Sequence, residues 1–176
     1  MRIFDCERDY VRFLERLEYL LQPPMLNPGV KISSTPGFSP TTPGSISLHA
    51  FCILPNHFHL IISGDISQFP KFLGSLQNSY AKYFNIKHER RGQVFEGRYN
   101  AKLIKDPEYL TSCMSYVCYN AIKHELVTDI RDWPWTSYHQ ILNPGVKASS
   151  TPGFHLPQVI PIESVELVDY VDIDEE

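Results

Sequence analysis

Apolar residues recur at helical spacing in three segments of the chain. From Asp5 to Gln22 they form one stripe that ends before Pro23-Pro24, as expected for an amphipathic helix. A second helix is predicted from about Pro70 to Ile86. A third begins at Asp106-Pro107, because aspartate caps helices and proline suits the first helical position. Its predicted buried residues are Leu110, Cys113, Met114, Val117 and Ala121.

Two further segments have the pattern of β-strands. Ile46 to Ile53 and His57 to Ser63 are short, mostly apolar runs, and the turn-forming residues Leu54-Pro55-Asn56 join them. Part of the segment from Gln93 to Ile104 is a candidate for another strand. We therefore expect an α+β domain in which helices back an antiparallel sheet.

Two Pro/Gly/Ser/Thr-rich segments interrupt this pattern. The first is a predicted surface insertion at residues 26–44, whose sequence LNPGVKISSTPGF returns at Leu142 to Phe154 with one difference in thirteen positions. The peptide GVKxSSTP can be encoded by a near-palindrome, so both copies are either translated palindromic DNA repeats or a duplicated linker. The predicted organisation is a domain at residues 1–140 and a flexible part, with the second copy and an acidic tail, at 141–176.

The bulk composition excludes several classes of protein. The chain has 176 residues and is 43% apolar, which is enough for one domain with a buried core. No apolar run is long enough to span a membrane, and the charged N-terminus does not resemble a signal peptide. The four cysteines lack the spacing of metal or disulfide frameworks, so we expect reduced thiols in a cytoplasmic protein.

The charge distribution is more informative than the net charge of −4. The segment from Glu163 to Glu176 holds seven acidic residues and no basic ones; without it the chain has 16 basic and 13 acidic residues. Between Lys82 and Lys105 there are seven basic residues against two acidic ones, with aromatic residues among them. Cations bind phosphates and aromatic rings stack on unpaired bases, so this segment is compatible with binding to single-stranded nucleic acid but does not by itself indicate it. A solvated basic helix end over core aromatics is the alternative.

Two short motifs carry candidate chemistry. His57 and His59 are two residues apart on a predicted strand, so their imidazoles share one face and form half of a metal site. On the third helix, Tyr116 and Asn120 are four residues apart and also share a face. A tyrosine hydroxyl can attack a phosphodiester, and two imidazoles with an amide oxygen suit Mn²⁺ or Mg²⁺. Each motif alone has an ordinary structural alternative, and His49, His88, His124 and His139 are expected to have no role.

Four motifs in order resemble the single-tyrosine HUH transposases, within them the branch associated with repetitive extragenic palindromes (REP). The motifs are PNHFHLII, then GQVFEGRY at Gly92 to Tyr99, EYLTSCMSYVCYNAIKHELV at Glu108 to Val127, and DWPWTSY at Asp132 to Tyr138. The resemblance implies a ferredoxin-like sheet with helices on one face, and metal-dependent cleavage and rejoining of single-stranded DNA near hairpins. A monomer or homodimer would act through a 5′-phosphotyrosine.

The resemblance also assigns roles to residues. Tyr116 corresponds to the nucleophile, His57 and His59 to the metal ligands, and Asn120 to a third ligand. Charge clustering adds predicted phosphate contacts at Arg90, Arg91, Arg98, Lys102 and Lys105. Rival interpretations are a protein that binds hairpin DNA without cutting it and a phosphodiesterase that activates water.

The chain departs from the family pattern in two places. Ala121 stands where the family usually has proline, which a helix tolerates. Family members also have a strand before the segment that matches Arg2-Ile3-Phe4, so the resemblance implies that the first strand of the sheet is missing here. Either the true start lies upstream, or this is a decayed copy with weak or no activity.

Overall fold

The structure is a computed structural model that describes residues 1–22, 46–97, 99–141 and 168–172. Two single 3₁₀ turns lie at Ile66–Gln68 and Ile130–Asp132. The helices and strands in chain order are α1 at Glu7–Leu21, β1 at Ile46–Ile53, β2 at Phe58–Gly64, α2 at Phe69–Lys87, β3 at Asn100–Ile104, α3 at Pro107–Cys118, α4 at Asn120–Lys123, α5 at Tyr138–Ile141 and β4 at Val168–Asp172.

The described strands form one antiparallel sheet in the order β1-β2-β4-β3. β1 and β2 form a hairpin in which Ile46 lies opposite Gly64 and Ile53 opposite Phe58. β4 lies between β2 and β3 and pairs with each of them over five residues. The α+β class with an antiparallel sheet is therefore confirmed, and the strand predicted at Ile46–Ile53 has the predicted bounds.

β4 differs from the sequence-based expectation for the tail. Its residues fall within 141–176, the part that was expected to be a flexible repeat copy and acidic tail. In the structure, residues 168–172 fill an inner position of the sheet, so the facing backbone groups of β2 and β3 have partners there. The sequence did not reveal this strand, because its acidic residues Asp169 and Asp172 resemble those of the acidic tail around it.

Helices cover both faces of the sheet, which corrects the expectation of helices on one face. On the first face, α1 and α2 pack on Leu48, Phe51 and Leu60. On the second face, Cys113 and Val117 of α3 pack against Ala50, Cys52 and Ile61. The side chains of β1 are buried on both faces of the sheet, so each face needs a covering layer of helices. The pairing of β1 with β2 is also irregular between Leu48 and Ala50. Of the residues predicted to be buried on the third helix, Cys113, Val117 and Ala121 are buried, whereas Leu110 and Met114 are only partly buried against the same cluster. The third helix ends earlier than predicted, so Ala121 lies in α4.

Asp9 holds the beginning of α1 against α2. Its carboxylate is fully buried and accepts hydrogen bonds from the backbone amides of Asp5 and Cys6. Lys87 binds the same carboxylate at 2.7 Å, and the Tyr83 hydroxyl donates to it at 2.8 Å. This network caps one helix and links it to the other.

The predicted insertion at 26–44 and the second repeat copy at 142–154 lie outside the described residues. Within the described part of the chain, no helix is long and apolar enough to cross a membrane.

Candidate metal and tyrosine site

His57 and His59 lie side by side at the start of β2. Their ring centroids are 5.0 Å apart, and both side chains are buried. His59 lies opposite Cys52 of β1 and opposite Asp172 of β4, so strands support it on both sides. The alternation of side chains along a strand thus has the predicted result, and the pair occupies the sheet face that α3 covers.

The turn before β2 fixes the orientation of the first imidazole. Asn56 Oδ1 lies 2.9 Å from Nδ1 of His57. An amide oxygen only accepts hydrogen bonds, so this contact assigns the proton to Nδ1 and the lone pair to Nε2. The turn itself is held by backbone bonds, from Leu54 to the His57 carbonyl and from Ile3 and Phe4 to the Pro55 carbonyl. The first ring is therefore oriented as metal-binding histidines usually are.

His124 is a third imidazole in the cluster, although no role is predicted for it from the sequence. Its ring centroid lies 4.9 Å from that of His57, and ligand atoms of His57, His59 and His124 all lie within 4.8 Å of one another. It follows the short helix α4, where its backbone amide donates to the Asn120 carbonyl at 2.9 Å. Three imidazoles this close can share one metal ion.

Asn120 has a buried oxygen that is suited to a cation. The side chain is fully buried, and its Nδ2 donates to the Tyr116 carbonyl at 3.2 Å. Its Oδ1 is shielded from solvent and has no hydrogen-bond partner among the described residues. A buried amide oxygen without a partner is costly, and a metal ion would satisfy it. The donor set of imidazole nitrogens and this oxygen fits a divalent cation.

The Tyr116 ring lies beside the ring of His59. Its ring centroid is 5.9 Å from that of His59, and the side chain is 36% exposed, so a substrate could reach it. The Lys123 ammonium donates to the hydroxyl oxygen at 2.6 Å and lies 4.5 Å from the ring centroid. A cation beside this oxygen would stabilise negative charge that develops there.

The cysteines offer no competing nucleophile on this face. All four are free thiols, and Cys52, Cys113 and Cys118 are buried. Burial raises the pKa of the Cys118 thiol to about 11 and raises the pKa of Cys52 still further. Buried thiols with raised pKa values are unreactive at neutral pH.

The predicted phosphate contacts differ in their surroundings. Arg91, Lys102 and Lys105 are exposed, whereas Arg98 lies outside the described residues. Arg90 donates to the Gln93 carbonyl at 2.8 Å and to the Met1 sulfur, so part of its guanidinium is already occupied. Their roles toward DNA remain predictions.

Comparison with known proteins found a relative that is similar to this chain in sequence. A Haemophilus influenzae protein described as "Putative REP-associated tyrosine transposase" is 30% identical over 104 residues, which cover 52% of this chain and 58% of the relative. The chain thus spans little more than half the length of that relative. No family model matches the chain, and no solved structure matches it. The sequence match confirms the resemblance of this chain to the REP-associated tyrosine transposases.

Proposed function

We propose that this protein cleaves and rejoins single-stranded DNA beside hairpins such as REP-like palindromes, in a metal-dependent reaction. The observation that supports this most directly is the convergence of three imidazoles and one accessible tyrosine. The ligand atoms of His57, His59 and His124 lie within 4.8 Å of one another, and the Tyr116 ring contacts the His59 ring. The name of the Haemophilus influenzae relative describes a tyrosine transposase, which agrees with the proposal.

The proposed reaction is a transesterification at phosphorus. The Tyr116 hydroxyl oxygen attacks a backbone phosphate, a bond forms between them, and the bond to the 3′-oxygen breaks. The tyrosine proton leaves and the 3′-oxygen gains one, so the products are a 5′-phosphotyrosine and a free 3′-hydroxyl. Because the phosphotyrosine conserves the phosphodiester bond energy, a 3′-hydroxyl can later attack it and rejoin the strands.

The site residues have separate proposed roles in this reaction. His57, His59 and Asn120 would hold the metal ion, and His124 is positioned to add a fourth ligand. When bound, a divalent ion polarises the phosphate and stabilises its developing charge. Of the two predicted ions, a third imidazole favours Mn²⁺, because Mg²⁺ prefers oxygen ligands. Lys123 would contact the same phosphate from the tyrosine side.

Positive charge would bind the strand around this site. The proposed phosphate contacts remain Arg90, Arg91, Arg98, Lys102 and Lys105, and the exposed members are the ones most available to DNA. A salt-dependent affinity for DNA is expected in either oligomeric state, monomer or homodimer.

The proposal is tested with a hairpin oligonucleotide that carries a single-stranded flank and a 3′-label. With Mn²⁺, the wild-type protein should form a labelled covalent adduct that survives denaturing electrophoresis. Tyr116→Phe should form none, whereas the control Tyr119→Phe should form it, since Tyr119 is similarly exposed but contacts Tyr138 instead of the histidines. Cleavage without an adduct in Tyr116→Phe would support a water nucleophile instead, and binding without cleavage would support the hairpin-binding protein.

A further inference from the structure

We infer that Tyr109 is a base-stacking subsite for single-stranded DNA, with Lys102 as its phosphate contact, on the same helix as Tyr116. The inference rests on the proposed function for the nature of the ligand. It extends that function by adding a second position, Tyr109, at which the protein would bind the DNA strand that Tyr116 cleaves.

Among the described residues, α3 carries two tyrosines that pair with a lysine in the same geometry. Lys102 donates to the Tyr109 hydroxyl at 2.9 Å, and Lys123 donates to the Tyr116 hydroxyl at 2.6 Å. The two ammonium groups lie 4.9 and 4.5 Å from the respective ring centroids. Each ammonium is much nearer the hydroxyl than the ring centre, so it lies at the hydroxyl edge and does not cover the middle of the ring face.

The two tyrosines occupy one stripe of α3. They are seven residues apart, which is close to two helical turns, so they project in nearly the same direction. Both are partly exposed, at 40% for Tyr109 and 36% for Tyr116. Ser112 lies between them on the same stripe and is small and exposed. The opposite side of the helix is the buried one, through Cys113 and Val117.

The packing of the protein does not account for an exposed aromatic ring at Tyr109. Tyr109 belongs to neither of the two core clusters of the described residues. A ring with a cation at its edge offers two contacts that match a nucleotide, since a base can stack on the face and a phosphate can bind the ammonium. Bases in a duplex are already stacked on both sides, so the matching ligand is a single strand.

The distance along α3 sets where the stacked base lies. Seven residues at about 1.5 Å each separate the two tyrosines by about 10.5 Å along the helix axis. Along a DNA strand with stacked bases the rise is about 3.4 Å per nucleotide, and a more extended single strand advances further per nucleotide. The base on Tyr109 therefore lies within about three nucleotides of the phosphate that Tyr116 attacks, on one side of it.

Binding to a fluorescent, unstructured oligonucleotide tests the inference without cleavage, if every protein carries Tyr116→Phe. Adding Tyr109→Ala should weaken binding by about 5- to 100-fold, in line with the loss of one stacked base. Tyr109→Phe keeps the ring and should bind the oligonucleotide with an affinity within about twofold of the parent.

Lys102→Met tests the phosphate contact. It should lower the slope of log affinity against log salt concentration by about one unit, a change that loss of the ring alone does not produce. Tyr119→Ala is the control for an exposed tyrosine off the stripe, and it should bind like the parent.

An abasic scan of the same oligonucleotide locates the contact. The parent should lose affinity when one base near the cleavage position is removed, and the Tyr109→Ala protein should be insensitive to that removal. Equal binding by the Tyr109→Ala protein and its parent, or an abasic effect that persists in Tyr109→Ala, would overturn the inference. Neither result depends on the covalent adduct, so failure of adduct formation in the wild type would overturn the proposed cleavage and leave the stacking result standing.

Discussion

The rings of His57 and His124 lie with their centroids 4.9 Å apart, although one precedes a strand in the first half of the chain and the other follows a short helix in the second half. This relationship converts a pair of histidines into a cluster of three. It also places the exposed end of α4 against the buried start of β2. The contact is therefore the structural basis for the proposed metal site.

Replacing His124 should weaken metal binding. We expect His124→Ala to raise the Kd for Mn²⁺ by at least about tenfold, because one of the ligands is lost while the pair on the strand remains. Isothermal titration calorimetry in the absence of DNA measures this directly. His88→Ala is a matched control, since His88 is also partly exposed but lies beside Asp5 at the end of α2. Equal Mn²⁺ affinity of wild type and His124→Ala would exclude His124 as a ligand.

Asp9 should make the stability of the fold depend on pH in the acid range. Burial alone would raise its pKa, but hydrogen bonds from Lys87, Tyr83 and two backbone amides outweigh burial and lower the pKa below its usual value. A carboxylate whose pKa is lowered by folding contributes stability above its unfolded pKa of about 3.9, and this is lost as the pH falls through the folded value. We expect Asp9→Asn to lower the free energy of unfolding at pH 7 by about 1–3 kcal/mol, measured by urea denaturation.

Asp129 provides the control for this prediction. A side-chain hydrogen bond from Arg131 lowers its pKa to about 2, but the pair is exposed to solvent, where water and salt weaken it. Asp129→Asn should therefore change stability less than Asp9→Asn does. If the two variants lost the same stability at pH 7, the Asp9 network would not be the link between α1 and α2 that its geometry indicates.

β4 should be required for a stable sheet. It pairs with β2 and β3 over five residues each, so a chain that ends before Val168 would leave two strands with open edges in the interior of the sheet. We expect this truncation to lower the free energy of unfolding by about 2 kcal/mol or more. Removal of the last three residues, which also removes acidic charge but spares β4, is the control. Similar denaturation midpoints for the two truncations would contradict the role of β4.

Much of the fold could be predicted from the sequence, because strand runs and helix caps depend on residues that are close together in the chain. The bounds of β1 follow from its apolar run, and α3 begins after Asp106, whose side chain accepts from the Glu108 amide as a capping aspartate should. β4 was missed because its acidic residues resemble those of the surrounding tail. The coverage of both faces could have been inferred from β1, since an apolar run without alternation is typical of a strand buried on both sides.

The candidate site was predicted in part. His57 and His59 share a strand, and Tyr116 and Asn120 lie within one turn of each other, so sequence spacing brings each pair together. His124 gives no such signal, because a single histidine after a helix has no spacing pattern, and only the packing of α4 beside β2 brings it to the site. Likewise, the contact between Lys123 and Tyr116 depends on the chain turning between α3 and α4.

Mass spectrometry can locate the proposed covalent bond between protein and DNA directly. After reaction with a hairpin oligonucleotide and Mn²⁺, nuclease digestion and trypsin should yield the peptide from Asp106 to Lys123, which contains Tyr109, Tyr116 and Tyr119. We expect a nucleotide attached through a 5′-phosphate to Tyr116, with the other two tyrosines unmodified. Attachment to another residue, or cleaved DNA with no modified peptide at all, would contradict it.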